Sequence, residues 1–343
     1  MTAFDLINNL KQRKFKPLYL LHGEEPYYVD LISDYIENHV LSDAEKGFNQ
    51  SVFYGKDSDL MSVLNSAKRF PMMSEYQVII VKEAQDLKWG KDTDDPAKGI
   101  DPLLSYLQNP LSSTILVFCY KYAKFDKRKK TYKAIEKNGS IFESSAIYDN
   151  KVPAWIEDFL SARGYRIHAR ASSLIAEYLG ADLSKIANEL EKLILNVQPG
   201  EEITLEDVHT NIGISKDYNV FELQSAIATR NVIKGNQIIN YFGANPKSNP
   251  VQLVFGALNS YFTKLLKYHY ISDRSSQNLA KEMGVNPYFL KEYEVAANNY
   301  NVPKIFNIIS YLREYDLRIK GVGATANTEQ SDLMKELLFK IIH

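Results

Sequence analysis

Over its first 147 residues the chain alternates between short apolar runs and segments whose apolar residues recur at helical spacing. The runs LYLL (18–21), SVFY (51–54), QVIIV (77–81), ILVFCY (115–120) and SIFE (140–143) predict strands. Helical patterns cover 29–40, 60–69, 102–108 and 129–137 between them. Strands alternating with helices predict an α/β domain built on a largely parallel sheet.

Beyond residue 152 the strand pattern nearly disappears. GADLSKIANELEKLILN (180–196) places Leu183, Ile186, Ala187, Leu190, Leu193 and Ile194 on one helical face, with Asp182 as its cap. TLED (204–207) reads as a capping box, in which hydroxyl and carboxylate satisfy the free amides of a helix start. Asn249-Pro250 opens a long amphipathic helix through Leu253, Val254, Leu258, Phe262 and Leu265. A second such start, 301–303, opens one through Ile305, Ile308, Ile309 and Leu312. The pattern predicts an α/β domain over 1–147, a small helical domain over 148–213 and a larger helical domain over 214–343. The polar, Pro- and Gly-containing stretch 88–102 is expected to be a mobile connection. No internal repeat or low-complexity tract is evident.

Apolar strand, glycine and helix follow one another in PLYLLHGEEPYYVD (17–30), the layout of a phosphate-cradling loop. A working loop of this kind reads G-x-x-x-x-G-K-[ST]: backbone amides wrap the phosphates, the lysine neutralises them and the hydroxyl holds Mg²⁺. Counted from Gly23, the second glycine is replaced by Tyr28, the lysine by Val29 and the hydroxyl by Asp30. The strand at 77–81 is followed by Glu83 but not by the paired Asp-Glu that would hold Mg²⁺ and orient a water. The geometry of a nucleotide site is therefore expected without its chemistry, and no cofactor is expected. The six histidines show no metal-ligand spacing, so no metal site is expected, and there is no G-x-S-x-G elbow. No catalytic residues are predicted.

Bulk composition narrows the classes further. At 343 residues, 45% hydrophobic and 24% charged, the chain has the makeup of a soluble protein of two or three domains. A formal net charge of -1 provides no global field to recruit nucleic acid or membrane. The single cysteine, Cys119, lies in an apolar run; it rules out a disulfide within the chain and fits a reducing compartment. The first residues lack a secretory signal and no apolar stretch approaches the ~20 residues of a membrane helix, so a cytoplasmic protein is expected.

Two segments are candidates for binding partners. The helix over 60–69 should stop before Pro71, which lacks an amide hydrogen and disfavours helical geometry at Phe70. The connection to the next strand thus carries Phe70, Pro71, Met72 and Met73, where turn chemistry usually supplies Gly, Asn or Asp. Either these residues fold back into the core, or they form an apolar tip that fills a partner's pocket, a role suited to the adaptable thioether of Met. The second segment, 121–133, carries Lys121, Lys124, Lys127, Arg128, Lys129, Lys130 and Lys133 interleaved with Tyr122, Phe125 and Tyr132. It could track a nucleic-acid backbone and stack bases, or be a solvated helix face with its rings turned inward.

Taken in order, PLYLLHGEEPYYVD, RFPMMSEYQVIIVKEAQDL, FDKRKKTYKAIEK, GADLSKIANELEKL, NVFELQSAI, GVNPYFLKE and LREYDLRIKG resemble the delta-subunit family of bacterial DNA polymerase III, over nearly the whole chain. The resemblance implies a RecA- or AAA+-like domain followed by a helical lid domain and a helical collar domain. It implies a subunit of the loader that opens the beta sliding clamp on primed DNA and that does not itself hydrolyse ATP. The implied partners are the clamp, the gamma or tau and delta-prime subunits joined through the collar, and primer-template DNA within the assembled loader. The implied clamp-binding wedge is Phe70, Pro71, Met72 and Met73, with methionines where family members often carry bulkier aromatics. Two alternatives remain: an active AAA+ ATPase of initiator or loader type, which needs a lysine near position 29, and a nucleic-acid-binding module using 121–133.

Overall fold

Runs of Leu, Ile and Val with few polar interruptions make strands that can be buried on both faces, and such strands favour parallel pairing beneath covering helices. The computed structural model describes residues 2–89, 101–215, 218–322 and 330–343, in two compact units, Met1–Ile147 and Tyr148–His343. In the first unit, strands β1 (Leu18–Gly23), β2 (Gln50–Tyr54), β3 (Gln77–Lys82), β4 (Thr114–Lys121) and β5 (Ser140–Ser144) form one all-parallel sheet in the order β2-β3-β4-β1-β5. This is the expected RecA/AAA+-like architecture.

Helices α1 (Ala3–Lys11), α2 (Pro26–His39), α3 (Asp43–Asn49), α4 (Leu60–Ala67), α5 (Pro102–Gln108) and α6 (Lys130–Asn138) connect and cover the strands. Because side chains alternate along a strand, the sheet divides its residues between two cores. Tyr19, Leu21, Val78, Ile80, Ile115 and Val117 pack with α1 and α2, whereas Leu18, Leu20, Ile79, Val81, Leu116 and Phe118 pack with α4, α5 and α6. Cys119 belongs to the first of these cores, where burial pushes its thiol up to about 12; it is packing material rather than a nucleophile.

The second unit contains α7 (Val152–Ser161), α8 (Ala169–Leu179), α9 (Leu183–Ile194) and α10 (Leu205–Ile212), with two-residue strands β6 (Arg166–Ile167) and β7 (Glu202–Ile203) paired in parallel. It continues with α11 (Val220–Ala228), α12 (Val232–Ala244), α13 (Val251–Tyr270), α14 (Ser276–Met283), α15 (Leu290–Asn299), α16 (Val302–Ile319) and α17 (Gln330–Ile342). One core, with Phe262, Tyr300 and Tyr315 among its largest buried side chains, ties α11 through α17 together. The capping box at Thr204 and Asp207 forms, Asn301 caps α16, and α13 begins just after Pro250.

The pattern missed α1 and α3, and α4 ends two residues earlier than expected, at Ala67. Most of the 88–102 connection (residues 90–100) and positions 216 and 217 near the expected second boundary lie outside the described residues.

Parallel pairing has a positional consequence. The loop after β1 leaves from the strand's C-terminal end, whereas 70–76 enter β3 at its N-terminal end. The two candidate loops therefore lie at opposite ends of one sheet.

Candidate functional site

The loop after β1 is filled by its own chain. Gly23 has φ +139°, and an added Cβ would collide with the carbonyl of Ser144 at the end of β5. The Glu24 N–H donates to Ser144 O at 3.3 Å, and the Ser144 hydroxyl donates to Glu25 O at 2.8 Å. Glu25 caps α2 by accepting the Tyr27 N–H at 3.0 Å, and Pro26 has no amide to offer. Two amides of this loop, those of Glu24 and Tyr27, thus already have protein acceptors, the second a carboxylate.

The three replaced positions have packing roles. Tyr28 meets Phe142 edge-on with ring centroids 6.4 Å apart, and Val29 is wholly buried. Asp30 pairs with Lys121 at 2.6 Å, so this carboxylate engages a cation from the end of β4. Glu83, the acidic residue after β3, adopts a left-handed conformation and starts a short 3-10 turn. Behind the loop, buried His22 accepts the Phe125 N–H through Nδ1 at 3.1 Å; burial lowers its pKa and keeps the ring neutral.

The basic segment is largely engaged with neighbouring acids. Lys124 lies 3.7 Å from Glu24, and Lys127 lies 2.6 Å from Glu143. Arg128 holds Asp126 in a two-pronged pair, bringing that carboxyl down to about 2. Lys129 sits over the Phe125 ring; Lys130 begins α6, and Lys133 lies on its exposed side. Phe125 and Tyr132 are buried, while Tyr122 is exposed with φ +65°. The structure thus pairs Lys121, Lys124, Lys127 and Arg128 with acidic neighbours and turns two of the three rings inward.

The turn before β3 is built differently. Phe70 is 76% exposed, Met72 54% and Met73 102%, with Pro71 half-buried between them. Met73 has φ +53°, a conformation that costs a residue with a side chain roughly 1–2 kcal/mol. The exposed side chains are carried by a fastened backbone. Asn49, the last residue of α3, is 3% exposed; its Oδ1 accepts the Met72 N–H at 2.6 Å and its Nδ2 donates to Met72 O at 2.9 Å.

The other leg of the turn is held by Gln77, the first residue of β3. Its Nε2 donates to Ala67 O at 3.2 Å, to Arg69 O and to Thr114 Oγ1 at 2.7 Å. The Thr114 hydroxyl and Tyr106 phenol also donate to Ala67 O. Helix α3 is itself pinned at its start, where Glu45 accepts from the hydroxyl and amide of Ser42. Those bonds, with a further one from Ser74 in the turn, bring the Glu45 carboxyl to about 2. Sequence reasoning found the four apolar residues but missed Asn49 and Gln77, whose partners are distant in the chain. The Ser42-x-x-Glu45 spacing was the available signal for α3.

In the second unit, a depression of about 290 Å³ is lined by residues of α12 and α17, including Val232, Leu338 and Phe339. Ile233 and Phe339 are exposed.

The family model described as DNA polymerase III, delta subunit, matches residues 19–145, and that described as DNA polymerase III delta subunit, C-terminal domain, matches residues 217–337. The DNA polymerase III subunit delta of Bacillus subtilis (strain 168) is 26% identical over 342 residues, covering 99% of this chain and 97% of that protein. A probable DNA polymerase III subunit delta of Aquifex aeolicus (strain VF5) is 22% identical over 284 residues, 80% of this chain and 77% of its own. The solved structure of the Bacillus subtilis DNA clamp loader delta protein aligns with a TM-score of 0.57 at 25% identity, over 99% of both chains.

Proposed function

This chain belongs to the DNA polymerase III delta-subunit family, and we propose that it is the clamp-opening subunit of a clamp loader, a non-catalytic part working in the cytoplasm. Its turn of Phe70, Pro71, Met72 and Met73 enters an apolar pocket on the beta sliding clamp and favours the state in which one clamp interface is unlatched. The observation that carries this reading is the exposure of Phe70, Met72 and Met73 on a backbone held at both legs. A protein of this size rarely leaves large apolar side chains clustered in water without a partner for them. Binding can shift the clamp only by the difference in affinity between its open and closed states, so the pocket must accept the tip better when the interface is open.

The chain does not hydrolyse ATP in this reading. The filled loop supports that: Glu24 and Tyr27 amides are occupied, and the Asp30 carboxylate stands where Mg²⁺ would need a hydroxyl. Nucleotide would act through the neighbouring gamma or tau subunits, which, with delta-prime, join this chain through a collar formed by 214–343 beyond a lid formed by 148–213. The exposed Ile233 and Phe339 suit such a contact. The 121–133 segment approaches primer-template DNA only in the assembled loader, since most of its cations already have acidic neighbours.

The deciding experiment is titration of the full chain, and of Met72→Ala with Met73→Ala, against the clamp from the same bacterium. The double substitution is expected to weaken binding by about 2–4 kcal/mol and leave the melting temperature unchanged. Retention of wild-type affinity rejects the wedge.

A further inference from the structure

We infer that Asn49 is the positioning residue of the tip: it holds the Met72 peptide from both sides so that the flanking side chains stand in water already shaped for the partner. The inference rests on the reading of 70–73 as the clamp contact. Asn49 is buried at the end of α3, 23 positions from Met72 in the chain, and its side-chain amide is matched to the N–H and C=O of one residue, so it holds the peptides on both sides of the Met72 Cα. Oδ1 takes the Met72 N–H and Nδ2 gives to Met72 O; the remaining Nδ2 hydrogen bonds Glu45 O at 3.1 Å, inside its own helix. With three polar partners fixed, the amide cannot rotate without leaving a buried group unsatisfied.

The residue next to the clamped peptide is Met73, fully exposed and left-handed at φ +53°. An unbranched residue with no packing of its own would leave that conformation readily, since the extended and right-handed regions are lower in energy. The Asn49 bonds fix the peptide plane that precedes Met73. Helix α3 thus acts as a splint for a turn that lacks the Gly or Asn usual at such a site. A pre-shaped turn loses less freedom on binding, which appears as tighter affinity without any added contact.

The test uses the full chain with Asn49→Leu, similar in volume but unable to bond the peptide, and Asn49→Asp, which keeps the acceptor for the Met72 N–H and loses the donor. Clamp affinity is expected to fall about tenfold or more in Asn49→Leu, which loses both bonds to Met72, and by less in Asn49→Asp, which keeps the one from the Met72 N–H. Amide hydrogen exchange separates positioning from general destabilisation. In Asn49→Leu the Met72 amide should exchange faster, and in Asn49→Asp, which still accepts it, stay protected, while the amides of β3 and β4 keep wild-type protection in both. Should Asn49→Leu fail to fold, the Asn49→Asp affinity decides alone. Weaker binding on Met72→Ala with Met73→Ala, but none in either Asn49 variant, overturns the positioning role and leaves the wedge standing. An unchanged affinity in the methionine double variant overturns both.

Discussion

The loop after β1 and the turn before β3 lie at opposite ends of the same sheet, and they treat backbone and side chain in opposite ways. In the loop, Tyr28 and Val29 turn inward, the Glu24 and Tyr27 amides find acceptors within the unit, and Asp30 binds Lys121. In the turn, the backbone is equally well satisfied, through Asn49 and Gln77, but Phe70, Met72 and Met73 point outward. The loop closes on itself, whereas the turn keeps an apolar surface in water on a backbone held by residues from elsewhere in the fold.

The sharpest way to break the contrast is at the exposed end. Replacing Met72 and Met73 together by alanine is expected to cost about 2–4 kcal/mol of clamp binding, the scale of interface hot spots. The urea midpoint should stay at the wild-type value, because neither side chain packs in the core; isothermal titration and urea denaturation read the two quantities separately. The opposite pattern is expected for Gly23→Ala. The collision with Ser144 should lower unfolding stability by about 2–3 kcal/mol, with clamp affinity untouched at a temperature where the variant is folded.

Acid sharpens the comparison more gently. The His22 pKa is lowered by burial, so below the ordinary histidine value of about 6.5 the unfolded chain takes up protons that the folded chain refuses. Stability of the first unit should therefore fall as pH drops from 7 to 5. Thermal melts of His22→Asn, which keeps an acceptor for Phe125, should lose that part of the slope. The smallest expected signal is no signal: ATP with Mg²⁺ should give no saturable binding to the isolated chain up to about 1 mM, a free energy weaker than roughly −4 kcal/mol. Saturable binding there would restore the ATPase alternative.

Strands β1, β3 and β4 were legible because each is a buried apolar run, and burial on both faces leaves a signature that local context hardly alters, whereas the edge strands β2 and β5 are half-buried and were read from shorter apolar runs. Helix α3 was not, since DAEKGFN has almost no apolar face and owes its start to Ser42 and Glu45. The tip could be found from Pro71 and its apolar neighbours, because a turn without turn residues stands out. The backbone of that turn is held by Asn49 and Gln77, which the pattern did not single out. An Asn closing a helix and a Gln opening a strand look like ordinary punctuation, and their bonds to Met72 and Arg69 are made across the fold. Similarly, seven positive charges in 121–133 left a nucleic-acid surface and a solvated helix face both open, because Glu24, Asp30 and Glu143, which meet three of them, come from other elements.

The register of β3 bears on how the tip can transmit force. β3 runs between β2 and β4, paired from Gln50↔Val78 to Tyr54↔Lys82 on one side and from Gln77↔Thr114 to Val81↔Phe118 on the other. A load drawn along the strand from its N-terminal end puts both ladders in shear, so their hydrogen bonds share it and must yield together. The same load applied across an edge strand would part the bonds one at a time. A contact mounted at the head of an inner strand can thus be pulled upon without peeling the sheet that supports it.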